Sequence, residues 1–352
     1  MEGEFETPAV VIDLAVALRN IERAQAHLAA QGLAVRPHIK THKLARLAEA
    51  QIAAGAVGIT CQKIGEVEAL LDEAPSIADV LLTYPILGRS KLARLVALAR
   101  RVRLSVVADS RAVVDGLSDG FAGEPSPLRV LVECDTGGSR CGVQSPGDAA
   151  ALARRIDAAP GLVLGGLMTY PAAGRQAAAC AFLAEAKAAI EGAGLAVPVV
   201  SSGGTPDLWR MRADGVVTEY RPGTYIYNDR SLLARDVATE ADCALRVVAT
   251  VVSKPTPERA IIDAGSKVLT SDLLGLEGYG MVMGLPEVVI DQLSEEHGRL
   301  TSKHAIPLEV GDKVEIIPNH ACVVTNMMDA VHVRMPNDAI EVWHVTARGR
   351  VT

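Results

Sequence analysis

From about residue 33, short runs rich in β-branched residues alternate with longer segments whose apolar residues recur at helical spacing. The longer segments are rich in alanine and leucine, which suits amphipathic helices. Before residue 225 the strand-like runs number eight: 33–40, 56–61, 79–85, 102–109, 129–136, 162–171, 197–204 and 217–224. This count predicts a (β/α)₈ barrel of TIM type. An open doubly wound sheet would show the same alternation, but the count of eight favours the barrel.

The pattern changes after about residue 240, where helical spacing becomes rare. Short strand-like runs follow one another there, separated by turns that contain proline, glycine and asparagine. This succession of short strands and turns predicts a C-terminal β-rich domain. An early strand-like run, 9–12, lies outside the eightfold pattern and can pair with that domain. We therefore divide the chain into an N-terminal segment 1–20, a barrel 21–238 and a β-domain 239–352.

Composition limits the possible partners and the compartment. The chain has 352 residues and a formal net charge of −7, and no run of lysines and arginines could follow a phosphate backbone, so we expect no nucleic acid partner. No apolar run reaches the roughly 18 residues of a membrane helix, so we expect no membrane partner. The first eight residues contain three glutamates and do not resemble a signal peptide, which predicts a cytoplasmic protein. Its six cysteines are then expected to be thiols.

The first predicted strand ends in a lysine that has histidines on both sides. Residues 36–43 read Arg-Pro-His-Ile-Lys-Thr-His-Lys. Barrel active sites lie at the carboxyl ends of the strands, which is where Lys40 falls. A lysine at such a position can simply extend its ammonium group into solvent. The crowding of Lys40 by His38, His42 and Lys43 instead favours a lysine that forms an imine.

Two further segments predict a phosphate site at the ends of the last two barrel strands. Residues 201–205, Ser-Ser-Gly-Gly-Thr, follow the seventh strand and are expected to open a helix, so hydroxyls and backbone N–H groups could face an anion. Residues 221–225, Arg-Pro-Gly-Thr-Tyr, follow the eighth strand, and Gly223 allows close backbone approach. Either segment alone could be only a turn. Their joint position matches the place where barrels often bind phosphate.

These segments, together with residues 135–143 (Asp-Thr-Gly-Gly-Ser-Arg-Cys-Gly-Val), resemble the alanine-racemase-type barrel, or fold-type III, of pyridoxal-phosphate enzymes. The resemblance is closer to the branch of D-threonine aldolases and D-serine dehydratases, which share a Pro-His-x-Lys-Thr-His-Lys segment. It extends from residue 7 to residue 349. It implies a barrel followed by a β-domain, and a homodimer whose active sites lie near the subunit interface.

Carried over residue by residue, the resemblance makes Lys40 the Schiff-base lysine for pyridoxal 5'-phosphate. It places Arg140 near the cofactor ring oxygen and Tyr170 in the active site, and His38 joins Lys40 and Tyr170 as a candidate catalytic residue. Arg221 resembles the arginine that meets the pyridine nitrogen in alanine racemase, which would make the ring a weaker electron sink. The residues expected to hold the phosphate are Ser202, Gly203, Gly204, Thr205, Gly223 and Thr224.

The C-terminal domain contains a second candidate site in residues 318–322, Pro-Asn-His-Ala-Cys. If this segment is extended, His320 and Cys322 share one face and can chelate a divalent metal. An isolated His-x-Cys pair is more often a buried cysteine beside a surface histidine. The resemblance favours the metal, because the D-serine dehydratase branch binds metal at such a pair. Zinc fits a nitrogen and sulfur pair better than manganese or magnesium does.

The resemblance implies a lyase that acts on a small-molecule substrate, a D-3-hydroxy amino acid. Residues 166–171 and 220–229 favour the D-threonine aldolase type, which cleaves to glycine and an aldehyde. The alternative is elimination to a 2-oxo acid and ammonia, as in D-serine or 3-hydroxy-D-aspartate dehydratases. The His-x-Cys pair favours this alternative, and so does Gln176, which stands where D-threonine aldolases share a histidine six positions after the equivalent of Tyr170. An amino-acid racemase, with Tyr279 as the second acid-base group, is a third possibility.

Overall fold

The computed structural model describes residues 5–213 and 215–352, so the first four residues of the predicted N-terminal segment lie outside it. By their contacts the residues form two compact units. The barrel unit comprises residues 23–40, 45–223 and 350–352, and the β unit comprises residues up to 22 together with 41–44 and 224–349. Within the described ranges, no helix is both long enough and apolar enough to cross a membrane.

The strands, in chain order, are β1 Ala9–Asp13, β2 Ala34–Val35, β3 Ile59–Cys61, β4 Asp79–Leu82, β5 Arg103–Ala108, β6 Leu128–Cys134, β7 Leu162–Thr169, β8 Val199–Ser202, β9 Glu219–Tyr220, β10 Leu245–Thr256, β11 Arg259–Ile262, β12 Gly280–Val282, β13 Val289–Leu293, β14 Gly298–Thr301, β15 Lys313–Pro318, β16 Ala330–Arg334 and β17 Ile340–His344. The α-helices are α1 Leu14–Ala30, α2 Ala45–Ala53, α3 Ile64–Glu73, α4 Arg89–Ala99, α5 Arg111–Phe121, α6 Pro146–Ala158, α7 Gln176–Glu191, α8 Arg230–Leu233, α9 Ser266–Leu269 and α10 Ala321–Met327. Short 3₁₀ helices span Ile39–Thr41, Thr205–Arg210, Thr224–Ile226 and Glu240–Asp242.

The barrel unit is built on eight parallel strands in the order β2-β9-β8-β7-β6-β5-β4-β3. The two end strands of this order also meet, because His38, just after β2, bridges to Thr60 in β3. This bridge curls the sheet on itself, which an open doubly wound sheet does not do. The predicted barrel with a C-terminal β-rich domain is confirmed.

The strands of the barrel unit are largely buried, as expected of parallel strands that helices cover. β3 and β4 are buried at every position. Helices pack their apolar face on the sheet, and α5 shows the spacing that the sequence predicts, with buried residues three to four positions apart. A buried cluster from four neighbouring strands consists of Leu81, Val107, Leu131 and Met168.

The strands that carry the candidate site are shorter than the sequence predicts. The predicted strand 33–40 is reduced to Ala34–Val35, and 217–224 is reduced to Glu219–Tyr220. Each predicted run contains a proline, Pro37 or Pro222, which cannot donate to a strand ladder. Lys40 therefore lies in a 3₁₀ helix beyond the strand end. The helix expected after residue 204 is likewise a 3₁₀ helix, Thr205–Arg210.

The β unit contains a nine-stranded sheet in the order β11-β14-β13-β12-β15-β10-β1-β16-β17. The early strand β1, expected from residues 9–12, pairs antiparallel with β10 and parallel with β16. Its central position explains why Val10, Val11 and Ile12 are almost completely buried. Residues 41–44 and 224–238, which begin within the predicted segments 36–43 and 221–225, also belong to this unit.

Candidate active site

Lys40 and Arg140 each lie near the ring of a third predicted site residue of the barrel unit, Tyr170. Nζ of Lys40 is 6.0 Å from the centre of the Tyr170 ring. The guanidinium carbon of Arg140 lies 5.4 Å from the same ring centre. Tyr170 also packs so closely on Gly204 that a Cβ there would lie 2.8 Å from the ring. His38, two residues before Lys40, is buried.

The loop that carries Arg140 is shaped by one carboxylate. Oδ1 of Asp135 accepts hydrogen bonds from the backbone N–H groups of Gly137 and Gly138, both at 2.9 Å, and of Ser139 at 3.1 Å. Burial works against the charge of Asp135, but these bonds outweigh it and lower the pKa of its carboxyl. The loop therefore holds the exposed Arg140 in a defined position next to Tyr170.

A cavity of about 240 Å³ opens beside this loop. Glu133 lies in its wall and is only 3% exposed, and its Oε2 has no hydrogen-bond partner among residues 5–213 and 215–352. Burial raises the pKa of Glu133 to about 7, although the charges of Arg140 and Arg221 act in the opposite direction. The residues that line the cavity are Glu133, Cys134, Asp135, Gly137, Gly138, Arg140, Cys141, Tyr170, Pro171, Ala172 and Ala173.

The two predicted phosphate segments meet in the barrel unit. The backbone N–H of Gly223 donates to Oγ1 of Thr205 at 3.2 Å. Gly203 has a φ of +97°, and a Cβ at this position would overlap the ring of Tyr220. The buried Oγ of Ser202 lacks a hydrogen-bond partner in the described part of the chain. An unpaired hydroxyl in a glycine-lined turn fits an anion with acceptor oxygens, such as a phosphate.

The Arg221 side chain is fixed by neighbours on two strands, β7 and β8. It is 4% exposed, and its Nη1 and Nη2 donate to Oγ of Ser201 and to the carbonyl oxygen of Thr169, each at 2.5 Å. Ser201 donates in turn to Glu219, which also accepts from Nε of Arg36 at 2.7 Å. Burial lowers the pKa of Arg221 to about 10, so its guanidinium remains charged at neutral pH. The network holds a positive charge at the end of β9.

The candidate metal residues lie in the β unit at the start of α10. His320 is the N-cap of this helix, with φ −141° and ψ 97°, and Cys322 lies in its first turn. The segment is therefore not extended through Cys322, and the helix start brings the two side chains into a hydrogen bond. Nδ1 of His320 lies 2.7 Å from Oδ2 of Asp272. Burial opposes protonation of His320, but Cys322 and Asp272 outweigh it and raise its pKa to about 9.

Two hydroxyl groups of the β unit contact the sulfur of Cys322. Oγ1 of Thr41 lies 3.2 Å from Sγ, and Oγ1 of Thr224 lies 3.6 Å from it. The carboxylate of Asp229 accepts from the backbone N–H of Ala321 at 3.1 Å and so anchors the helix start. No group of three or more His, Cys, Asp or Glu side chains converges as a metal site within the described ranges. A nitrogen and sulfur pair supplies two of the four ligands that zinc usually takes, and both donors fit zinc.

Sequence reasoning missed three residues that the structure places in these sites. Thr41 could have been noticed because it directly follows Lys40. Glu133 lies two positions before Asp135. The alternation of side chains along a strand does not show that this carboxyl is buried without a hydrogen-bond partner among the residues that the structure describes. Asp272 is 48 residues from His320, and no local pattern connects them.

Family models match most of the chain. The model described as "Alanine racemase, N-terminal domain" matches residues 12–231, and the one described as "Putative serine dehydratase domain" matches residues 244–334. The chain belongs to the alanine-racemase-type family. The predicted resemblance is thereby confirmed.

Curated relatives of this alanine-racemase-type chain are lyases. It is 32% identical to the D-threonine aldolase of Arthrobacter sp over 99% of the chain and 94% of that protein. It is 33% identical to the D-threo-3-hydroxyaspartate dehydratase of Delftia sp. (strain HT23) over 96% of the chain and 97% of the relative. A metal-free cysteine-to-alanine mutant of a D-threo-3-hydroxyaspartate dehydratase superposes with a TM-score of 0.87 at 32% identity, covering 97% of both chains. The chain is thus an enzyme, a pyridoxal-phosphate-dependent lyase.

Proposed function

We propose that this alanine-racemase-type enzyme is a metal-dependent lyase that acts on D-3-hydroxy amino acids. The observation that carries the proposal is the environment of Cys322. Its sulfur contacts the hydroxyls of Thr41 and Thr224, which directly follow Lys40 and Gly223 in the chain. The candidate metal ligand thus contacts one residue of each candidate cofactor segment, and one of these two, Thr224, is also expected at the phosphate.

Lys40 would hold pyridoxal phosphate through its Nζ, and the unpaired hydroxyl of Ser202 would donate to the phosphate. Bound in this way, the cofactor would supply an electron sink for bond cleavage at the α-carbon of an amino acid. Arg140 and Tyr170, whose side chains pack on one another, would lie beside the bound cofactor. The fixed positive charge of Arg221 would oppose protonation of the pyridine nitrogen if the two groups meet.

His320 and Cys322 would hold the divalent metal, with zinc favoured over manganese and magnesium by the sulfur ligand. The metal would act as a Lewis acid at the β-hydroxyl of the substrate. Asp272 occupies Nδ1 of His320, which leaves the other ring nitrogen for a metal. A cysteine-to-alanine mutant of a D-threo-3-hydroxyaspartate dehydratase is known in a metal-free form, which supports metal binding in this relative.

For the reaction we propose elimination, with loss of the β-hydroxyl and release of a 2-oxo acid and ammonia. Lys40 would take the α-proton at Nζ. Retro-aldol cleavage instead requires a base at the β-hydroxyl, and Gln176 stands at the position where D-threonine aldolases share a histidine. Nε2 of Gln176 donates to Sγ of Cys180 at 3.3 Å, and an amide cannot accept a proton at neutral pH.

Retro-aldol cleavage, which the sequence favours, is the second candidate. It is supported by the 32% identity to a D-threonine aldolase over almost the entire chain. D-serine and D-threonine distinguish the two reactions. Elimination predicts pyruvate and ammonia from D-serine, whereas the aldolase predicts glycine and acetaldehyde from D-threonine.

The assay requires the purified enzyme with pyridoxal phosphate and zinc, and Lys40→Ala as the inactive control. Formation of acetaldehyde from D-threonine without pyruvate from D-serine would contradict the proposed elimination. Formation of none of these products, with 3-hydroxyaspartate and phenylserine also inert, would contradict a D-3-hydroxy amino acid lyase. Retention of activity in a chelator, together with racemization of the substrate, would favour the racemase. The homodimer and the cytoplasmic location stay predictions.

A further inference from the structure

Both ring nitrogens of His38 are engaged in the barrel unit. The backbone N–H of Lys40 donates to Nδ1 of His38 at 3.3 Å. Nε2 of His38 lies 3.1 Å from Oε1 of Gln62. The first bond requires a lone pair on Nδ1, so the proton of a neutral ring must reside on Nε2.

The hydrogen bonds of Gln62 independently require the same Nε2–H tautomer of His38. Nε2 of Gln62 donates to the carbonyl oxygen of Thr83 at 2.9 Å. A carbonyl oxygen can only accept, so the amide nitrogen faces Thr83 and Oε1 faces His38. Oε1 can only accept as well, and His38 must therefore donate from Nε2. The backbone N–H of Gln62 is also held, at 2.7 Å from Oε2 of Glu66.

The chain of bonds follows the barrel architecture. Gln62 is the residue after β3, Thr83 is the residue after β4, and His38 lies just beyond β2. Parallel strands place their carboxyl ends at one edge, so three residues that are distant in sequence meet beside Lys40. The rigid strand ends can therefore hold the imidazole in one orientation.

We propose that Gln62 is a positioning residue that fixes His38 as the neutral Nε2–H tautomer, and that His38 holds the backbone of Lys40 instead of acting as a base. The proposal rests on the proposed function only in taking Lys40 as the cofactor lysine. To act as a base, His38 would need the lone pair on Nδ1. That lone pair already accepts the hydrogen bond from the backbone N–H of Lys40.

His42, two residues after Lys40 in the chain and part of the β unit, makes the same kind of backbone contact. The backbone N–H of Leu44 donates to Nδ1 of His42 at 3.1 Å. Each histidine thus accepts from the N–H two residues later. Neither Nδ1 is available to deprotonate a β-hydroxyl, which agrees with elimination as the reaction.

The tautomer is measured by ¹⁵N NMR of the cofactor-loaded enzyme labelled at histidine, with the His38 signals assigned by their loss in His38→Asn. We expect Nδ1 of His38 at the shift of an unprotonated nitrogen and Nε2 at that of a protonated one. Gln62→Leu should give a mixture of tautomers, whereas Gln292→Leu, at an exposed position of β13, should not. An Nδ1–H tautomer, or an imidazolium at neutral pH, overturns the proposal whether or not the enzyme is a lyase.

A pair of substitutions distinguishes the positioning role from a base. His38→Asn retains an acceptor near the Nδ1 position, and His38→Leu removes it, while neither can accept a proton. We expect His38→Leu to lose at least about tenfold more of kcat than His38→Asn, since one missing hydrogen bond corresponds to roughly 1.4 kcal/mol. Equal loss in both variants would mean that His38 acts as a base.

Discussion

Oδ2 of Asp272 lies 2.7 Å from Nδ1 of His320, although 48 residues separate them in the chain. A carboxylate on the second ring nitrogen orients a metal-binding histidine and makes it a stronger ligand. We predict that Asp272→Ala weakens metal binding by about 10- to 100-fold. The affinity is measured by competition with a chromogenic chelator. Asp291→Ala, which removes an exposed ion pair with Arg299, is the control and should bind metal like the wild type. Equal affinity in both variants would assign Asp272 no role at the metal.

Two adjacent serines of β8 should respond in opposite ways to the same substitution. Oγ of Ser202 has no partner in the described chain, so Ser202→Ala should leave the cofactor-free protein as stable as before or more so, while it weakens cofactor binding. Ser201→Ala removes the partner of Arg221 and Glu219 and should destabilise the fold by about 1–3 kcal/mol. Urea unfolding gives the stability, and fluorescence titration gives the cofactor affinity. Full cofactor affinity in Ser202→Ala would exclude this hydroxyl from the phosphate site.

Glu133 should make the stability of the cofactor-free protein depend on pH. Its pKa is raised by burial to about 7, whereas an unfolded glutamate titrates near about 4.3. Between these values the unfolded chain loses the proton and the folded chain keeps it, so stability falls as the pH rises and becomes level above about 7. Glu133→Gln removes this cost and should be more stable than the wild type at pH 8 by up to about 3 kcal/mol.

The difference between Glu133→Gln and the wild type should shrink toward pH 5, where the native carboxyl is protonated. Urea unfolding at pH 5 and pH 8 measures it. Glu287→Gln, at an exposed position, should match the wild type at both pH values. A Glu133→Gln protein no more stable than the wild type at pH 8 would show that the buried carboxyl is already compensated.

Substitution of Arg36 should lower the free energy of unfolding more than substitution of most other charged residues. Arg36 is buried and pairs with Glu219 and Asp79, each at 2.7 Å. Arg36→Leu leaves two buried carboxylates without this partner, and we expect a loss of about 3–5 kcal/mol. Arg299→Leu breaks an exposed pair and should reduce the stability far less. Thermal and urea unfolding compare the two, and similar losses would mean that Arg36 is compensated by other groups.

The sequence predicts the order of the elements well because hydrophobic spacing is local. The eight strand-like runs correspond to β2 through β9, and the early run 9–12 corresponds to β1. Strand lengths are less well predicted near Lys40 and Gly223, since the apolar pattern continues through Pro37 and Pro222 where the strand ladder ends. The His-x-Cys spacing predicts that the two side chains share one face if the segment is extended, whereas the structure has a helix start there.

The sequence by itself determined the barrel, the β-rich C-terminal part, the family and the segments around Lys40, because periodicity and motif spacing are encoded locally. Only the tertiary structure decided which side chains meet. The contacts of Gln62 with His38 and of Asp272 with His320, and the lack of a described partner for Ser202 and Glu133, depend on residues far apart in the chain. Hydrogen-bond partners and burial are properties of packing, and packing brings together strand ends and loops that no sequence pattern connects.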